Sequence, residues 1–341
     1  MPGRLTSTLD SRLQHLWSRV TRHDPFDVAS WLLIAALFAI ALLTFRDYSI
    51  SNDEEVQHRY GELILAYYTS GLTDRSVFAY KNLYLYGGLF DVVAILLARI
   101  VPTDLFVIRH LLCAITGIGG LAAVWATARL IAGPRAGLLA TVALAVCGPW
   151  FGSMFNHTKD IPFAAAMMGA IYFLLRTARD LPRPRLLDLL FFGLLLGAAL
   201  GLRALALIVL LYVPTAIALH LPQPATPGTV TRFLARSLLL FVPALALAYL
   251  IMIAAWPWAA LNLFNPIRGL FAFAHFHYPV KTMLLGETYL MADVPRWYVP
   301  FYLAIKLPLV VLLGAALGLV TAAGAVGLLF FPSPLVMVYS F

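Results

Sequence analysis

The amino-acid sequence predicts an all-α polytopic membrane protein, with about eight transmembrane helices and two long external loops that contain amphipathic juxtamembrane helices. Three observations carry this reading. Of the 341 residues, 62% are hydrophobic and only 12% are charged, against about a quarter charged in ordinary soluble domains. The mean hydropathy is +0.86. Long apolar runs approach the roughly 20 residues that cross a bilayer as a helix, and the ten-residue alternation of barrel strands is absent. The same composition excludes a soluble enzyme, a disordered tail, a collagen-like fibre and a disulfide-rich secreted module.

The expected spans run about 28–45, 107–131, 136–152, 161–178, 186–202, 204–220, 237–255 and 299–322. Residues 1–27 read as a cytoplasmic N-terminal segment, because Arg4, Arg12, Arg19 and Arg22 hold it inside. No small-residue cleavage site follows the first apolar run, so it reads as a span and not a signal peptide. Residues 28–341 then form one transmembrane domain, with external loops at about 46–106, 153–160 and 256–297. The stretch 87–101 is short, holds Asp91 and ends near Arg99, which makes it an interfacial helix. With that choice the inside receives 12 of the 24 basic residues, all arginine, and the outside receives all four lysines. This satisfies the positive-inside rule for a multi-pass plasma (inner) membrane protein. The net charge of +8 reads as topology and not as a nucleic-acid surface.

Within the first loop, Val56, Tyr60, Leu63 and Tyr67 recur at helical spacing, with Asn52 or Asp53 as N-cap, so residues 54–69 form an amphipathic helix lying on the membrane surface. Cys113 and Cys147 lie in apolar runs and read as small hydrophobes, with no CxxC or Cys/His metal spacing.

Three groups of residues bear chemistry. The first is Asn52-Asp53-Glu54-Glu55, which fits both a helix N-terminus that favours acids and a general base held above the bilayer. The second is Asn156-His157-Thr158-Lys159-Asp160-Ile161-Pro162. Asp160 and Pro162 suit a helix start, whereas His157 and Lys159 in the same short turn point to a site. The third is a set of single cations: Lys81, Arg109, Arg203, Lys281 and Lys306. Arg203 lies between two apolar runs, and snorkelling to the interface or binding a lipid-linked phosphate both account for it. Acids and cations on the outer face suggest sugar transfer from a polyprenyl phosphate. Cations stabilise the leaving phosphate, and a carboxylate takes the proton of the acceptor hydroxyl. Neither GxxxxGK[ST] nor a strand-linked GxGxxG is present, as suits a donor charged elsewhere.

These residues resemble the GT-C glycosyltransferases. Asp53-Glu54 after the first span is similar to their acidic motif. Arg109-His110, Gly133-Pro134-Arg135, His157 to Phe163, His275-Phe276-His277-Tyr278 and Pro295 to Pro300 resemble the protein-mannosyltransferase and aminoarabinose-transferase branch, glycosyltransferase family 39. The resemblance covers about 28–310. It implies a polyprenyl-phosphate sugar donor, transfer on the periplasmic face to a lipid, glycan or protein acceptor, and inversion at the anomeric carbon. It implies Asp53 as the catalytic carboxylate and Asp160 as the second acidic position; Glu54, next to Asp53 where the first span meets the amphipathic helix, is expected to orient it or an acceptor. Lys81 takes the place of a family lysine that binds donor phosphate, although Asn82-Leu83-Tyr84 follow here where the family often has two prolines. Lys159 and Arg203 complete the expected phosphate site, and Glu55, His157, His275 and His277 are further candidates. No cofactor is expected; one divalent ion on Asp53, Glu54, Asp160 and His157 is the minority alternative. The chain ends soon after Pro332-Ser333-Pro334, which suggests a shortened member of a longer family. The competing readings are a transporter or flippase, which would show internal symmetry and broken mid-membrane helices, and a catalytically inactive member.

Overall fold

The computed structural model describes residues 24–222, 226–274 and 280–330, and these are helical almost throughout. The arginines at the N-terminal end (Arg4, Arg12, Arg19 and Arg22), His275 with His277, and Pro332-Ser333-Pro334 lie outside the described residues. The described residues fall into two compact units. One lies within 1–144 and 150–276, the other within 145–149 and 277–341.

In the first unit, helix α1 (Pro25–Thr44) starts at Asp24, whose carboxylate accepts from the Phe26 amide at 2.9 Å, with Pro25 in the first turn. Helix α2 (Asn52–Thr69) begins two residues earlier than the pattern suggests, because Ser51 and not Asn52 or Asp53 is the N-cap. Glu54 reaches back and accepts from the Ser51 amide at 2.8 Å, as in a capping box. Its buried stripe includes Tyr60, Leu63 and Tyr67, as the spacing predicts. This face packs on helix α3 (Leu89–Ala98). The backbones approach closely at Gly61, where a Cβ would lie 2.8 Å from Asp91 Cβ. Ten residues of α3 reach about 15 Å, half a bilayer core and too short to span it.

Helix α4 (Leu105–Ala145) leaves helical geometry at Ala132 and at Gly133, whose φ of 83° suits only glycine comfortably. Beyond this break the chain folds back, because Gly137 lies against Trp125 and Arg129. This is the Gly133-Pro134-Arg135 turn expected between two spans. After the short helix α5 (Gly148–Ser153) come α6 (Asp160–Arg179), α7 (Leu186–Leu200), α8 (Val209–Ala218) and α9 (Pro227–Ala255). Phe192, Leu196 and Phe241 fill the core of this bundle. Gly193 and Gly197 let α7 touch the backbone of α9 at Ala244 and Ala248. Small residues serve this close packing in membranes, where no hydrophobic force separates helix from lipid. At the arginine-bearing ends of these helices, Arg129 pairs with Asp27 at 2.7 Å and Arg176 with Asp188 at 3.2 Å. The unit closes with α10 (Pro257–Leu261) and α11 (Asn265–Ala274).

In the second unit, an antiparallel hairpin pairs β1 (Lys281–Leu284) with β2 (Glu287–Leu290). It precedes α12 (Tyr298–Lys306) and α13 (Leu309–Phe330). The Tyr302 hydroxyl donates to the Met283 carbonyl, and the Thr282 and Tyr298 hydroxyls share a hydrogen bond, so the hairpin is tied to α12.

Among the described residues four helices are long and apolar enough to cross a membrane: Pro25–Thr44, Leu105–Ala145, Asp160–Arg179 and Pro227–Ala255. A fifth follows if α12 and α13, bent by 120°, count as one span. The expected eight are thus not confirmed as a count. Two of them correspond to α7 and α8, of 15 and 10 residues, which fall short of the roughly 20 a span needs.

Candidate active site

The turn before α6 and the start of α2 meet on the face opposite the arginine-bearing helix ends. The Ser51 hydroxyl donates to the Asn156 carbonyl at 3.3 Å, and the Asn156 amide to the Ser49 carbonyl at 3.4 Å. Tyr48 stacks on Phe155 with ring centroids 3.8 Å apart. The first two sequence-level clusters, about a hundred residues apart, therefore form one surface. A third strand of chain joins them. The Gly87 and Leu89 amides donate to the carbonyls of Leu202 and Gly201, and the Gly88 amide to that of Ala255. Gly87 is required there, since a Cβ would fall on the Gly201 carbonyl.

This arrangement sets Tyr86 between two cations. The Lys159 ammonium lies 4.2 Å from its ring centroid and the Arg203 guanidinium carbon 5.6 Å. Lys159 is buried, and that desolvation pulls its pKa below the ordinary lysine value, while the charges of Asp91, Asp53 and Asp160 act the other way. Burial also raises the Tyr86 phenol, which senses Arg203, Asp160 and Asp53. Asp53 and Asp160 are exposed, and Arg203 donates to Asp160 at 2.5 Å. His157 is exposed, its Nδ1 4.0 Å from Asp160. Five sequence-predicted residues, Asp53, Asp160, Lys159, Arg203 and His157, thus converge.

Others lie elsewhere. Glu54 is fully buried. Beyond its bond to the Ser51 amide it faces His110 Nε2 at 3.3 Å and Arg109 Nε at 3.9 Å. Glu55 is exposed and lines a separate cleft with His58, Arg59, Glu62 and Tyr80, on the opposite side of α2 from Asp53. Lys81 is exposed, with φ of 50° and its ammonium 5.8 Å from the Tyr80 ring. His275 and His277 are outside the described residues. Among the described residues no group of three or more His, Cys, Asp or Glu could hold a metal ion.

Behind the surface residues lies a buried polar network. Arg109 Nη2 donates to Asp91 at 2.8 Å and to Thr158 at 2.9 Å, and Thr158 donates to Gln57 at 2.6 Å. The sequence offered one usable signal for it. Asp91 and Arg109 are opposite charges in apolar stretches, and such charges usually pair. Tyr86, Gln57 and Thr158 carried no such signal.

A cavity of about 560 Å³ with apolar walls is lined by Leu89 and Phe90, and by Pro162 and Leu202, which are close in sequence to Asp160 and Arg203. It extends to Trp31 and Trp125. Its lining on α4 runs from Leu112 to Ala126, about 21 Å of helix.

Residues 89–258 match the family described as dolichyl-phosphate-mannose-protein mannosyltransferase. This region contains Asp91, Arg109, Thr158, Lys159, Asp160 and Arg203, whereas Asp53 and Glu54 precede it. No curated protein and no solved structure matches the chain. With all-α transmembrane architecture and this match in hand, the chain belongs to the dolichyl-phosphate-mannose-protein mannosyltransferase family of GT-C glycosyltransferases.

Proposed function

We propose that the protein transfers a sugar from a polyprenyl-phosphate donor to an acceptor hydroxyl at the periplasmic face, with inversion at the anomeric carbon. One observation carries this reading: Lys159 and Arg203 flank Tyr86, beside Asp53 and Asp160, and Pro162 and Leu202, close in sequence to Asp160 and Arg203, line a long apolar cavity. A donor of this class has a phosphate to match the cations and a hydrocarbon tail to match the cavity. Asp53 takes the proton from the acceptor hydroxyl as its oxygen attacks the anomeric carbon. The bond to the phosphate oxygen breaks, and Lys159 and Arg203 stabilise the negative charge that develops there. Asp53 suits the base because it is exposed in the first turn of a helix anchored by packing on α3. Glu54, in the interior, holds that turn in place.

The test uses the purified chain in lipid vesicles, radiolabelled polyprenyl-phosphate sugars and a total envelope extract as acceptor. Label should move from the donor lipid to an acceptor, and Asp53→Asn should stop it. Donor movement across the bilayer without transfer would favour the flippase reading, and neither transfer nor movement the inactive one.

A further inference from the structure

Lys159 and Asp53 sit on segments far apart in sequence, yet a sugar-transfer step needs them in fixed register. We propose that Arg109 and Thr158 are positioning residues, a buried joint that sets the first turn of α2 against the turn before α6. The proposal rests on the reading of the site as a sugar transferase.

The hydrogen bonds of the joint run in one direction. The two hydrogens on Arg109 Nη2 serve Asp91 on α3 and the Thr158 hydroxyl. That hydroxyl, having accepted from Arg109, spends its own hydrogen on Gln57 of α2. Arg109 Nε faces Glu54, also on α2. Every member is buried: Arg109 and Glu54 at 0% exposure, Thr158 at 1%, Asp91 at 2%, His110 at 3% and Gln57 at 5%. Thr158 directly precedes Lys159, Glu54 directly follows Asp53, and Gln57 is one turn further along α2. A displacement at the joint therefore moves the base and the cation relative to each other.

Stability does not explain the network. Burying an ion pair generally gains no more than packing apolar residues of similar volume. Arg109 Nε, Arg109 Nη1 and Glu54 Oε1 also lack a hydrogen-bond partner among the described residues, so the network is expensive to bury. What it supplies is geometry. The planar guanidinium fixes two directions at once, which a lysine cannot do. The threonine hydroxyl has a single arrangement that serves both neighbours.

Thr158→Val keeps the shape and removes the relay, and Thr158→Ser keeps the relay. Spin labels on cysteines at Glu55 and His157, both exposed, in a background without Cys113 and Cys147, report the distance between the two segments. The parent chain and Thr158→Ser should give one narrow distribution, and Thr158→Val a broad or displaced one. In the chain without labels, Thr158→Val should lower turnover per donor-binding site by at least about tenfold, with donor affinity within about threefold and rescue by Thr158→Ser. A loss confined to folding would instead reduce the number of binding sites and leave turnover per site unchanged. If Thr158→Val does not fold, Gln57→Leu breaks the last link while Arg109 keeps its partners, and the same outcomes apply. A narrow, unshifted distribution in the relay-broken chain overturns the proposal, as does unchanged turnover per site. If the parent chain transfers no sugar, the functional reading fails, and the distance distributions alone decide whether the joint holds.

Discussion

Arg203 donates to Asp160 across 2.5 Å, although the residues are 43 positions apart. In the sequence one looks like a donor-binding cation and the other like a second acid. In the structure the carboxylate occupies the guanidinium that a donor phosphate would use. Both side chains are partly exposed, so the pair contributes about 0.2–1 kcal/mol. Asp160→Asn should therefore tighten binding of a polyprenyl phosphate by up to roughly five-fold. Arg203→Ala should weaken it by about tenfold or more, since a charge-assisted hydrogen bond is lost. Titration calorimetry in detergent separates these outcomes. Equal affinity in both variants would detach Arg203 from donor binding.

Lys159 gives the site a pH dependence of definite sign. Its burial beside the Tyr86 ring lowers its pKa from the lysine value of 10.5. The ammonium that attracts phosphate is complete below that lowered value and disappears as pH rises through it. Donor affinity should thus fall on the alkaline side earlier than an ordinary lysine would allow. Lys159→Arg, which stays charged, should hold affinity to higher pH, and Lys159→Ala should be weak and flat. Folding has the opposite sign: between the lowered pKa and 10.5 the unfolded chain binds more protons, so this group's contribution to stability rises with pH. An alkaline fall in affinity that persists in Lys159→Ala would assign it to another group.

The site depends on a backbone contact at Gly87. A Cβ there would stand 2.0 Å from the Gly201 carbonyl oxygen. Gly87→Ala must push apart the strand that carries Tyr86 and the turn that leads to Arg203. Overpacking of this kind costs about 1–3 kcal/mol, so a clear fall in melting temperature is expected, with donor affinity lowered in the fraction that folds. Gly228→Ala, where a Cβ meets nothing within 4 Å, is the control and should melt like the parent. Melting curves that coincide for both variants would contradict the close approach.

How much of this was legible in the sequence depends on the range of the interaction. Asp91 in a short apolar stretch was enough to set 87–101 apart from the spans, and α3, with ten residues, is indeed too short to be one. Glycine before proline in an arginine-rich segment marked the break at Gly133. Tyr60, Leu63 and Tyr67 gave α2 its face. Asp91 and Arg109, opposite charges in apolar stretches, gave one signal of a pair, whereas the pairing of Arg203 with Asp160 was not legible, since nothing local connects partners on different segments. Nor was the difference between Asp53 and Glu54, which are adjacent and chemically alike. Their fates diverge because successive helical positions are rotated by about 100°. One points out of the first turn and the other into Arg109 and His110.

That divergence yields the sharpest prediction. Asp53 is exposed and Glu54 fully buried, so the same neutralisation, carboxylate to amide, should do different things one residue apart. Asp53→Asn removes a basic oxygen and leaves the packing intact. Turnover should fall by a factor on the order of 10²–10⁴, with melting temperature and donor affinity unchanged. Glu54→Gln keeps an oxygen for the Ser51 amide but removes the charge that faces Arg109 and His110. Breaking one side of a buried ion pair costs about 3–5 kcal/mol, so this variant should melt at markedly lower temperature and lose activity by losing folded protein. Turnover per donor-binding site in the surviving Glu54→Gln fraction is the deciding measurement. If it stays near the parent value while Asp53→Asn is dead, Asp53 is the base and Glu54 holds it. If it falls as far as in Asp53→Asn, with the folded fraction intact, the buried carboxylate itself takes part in the reaction.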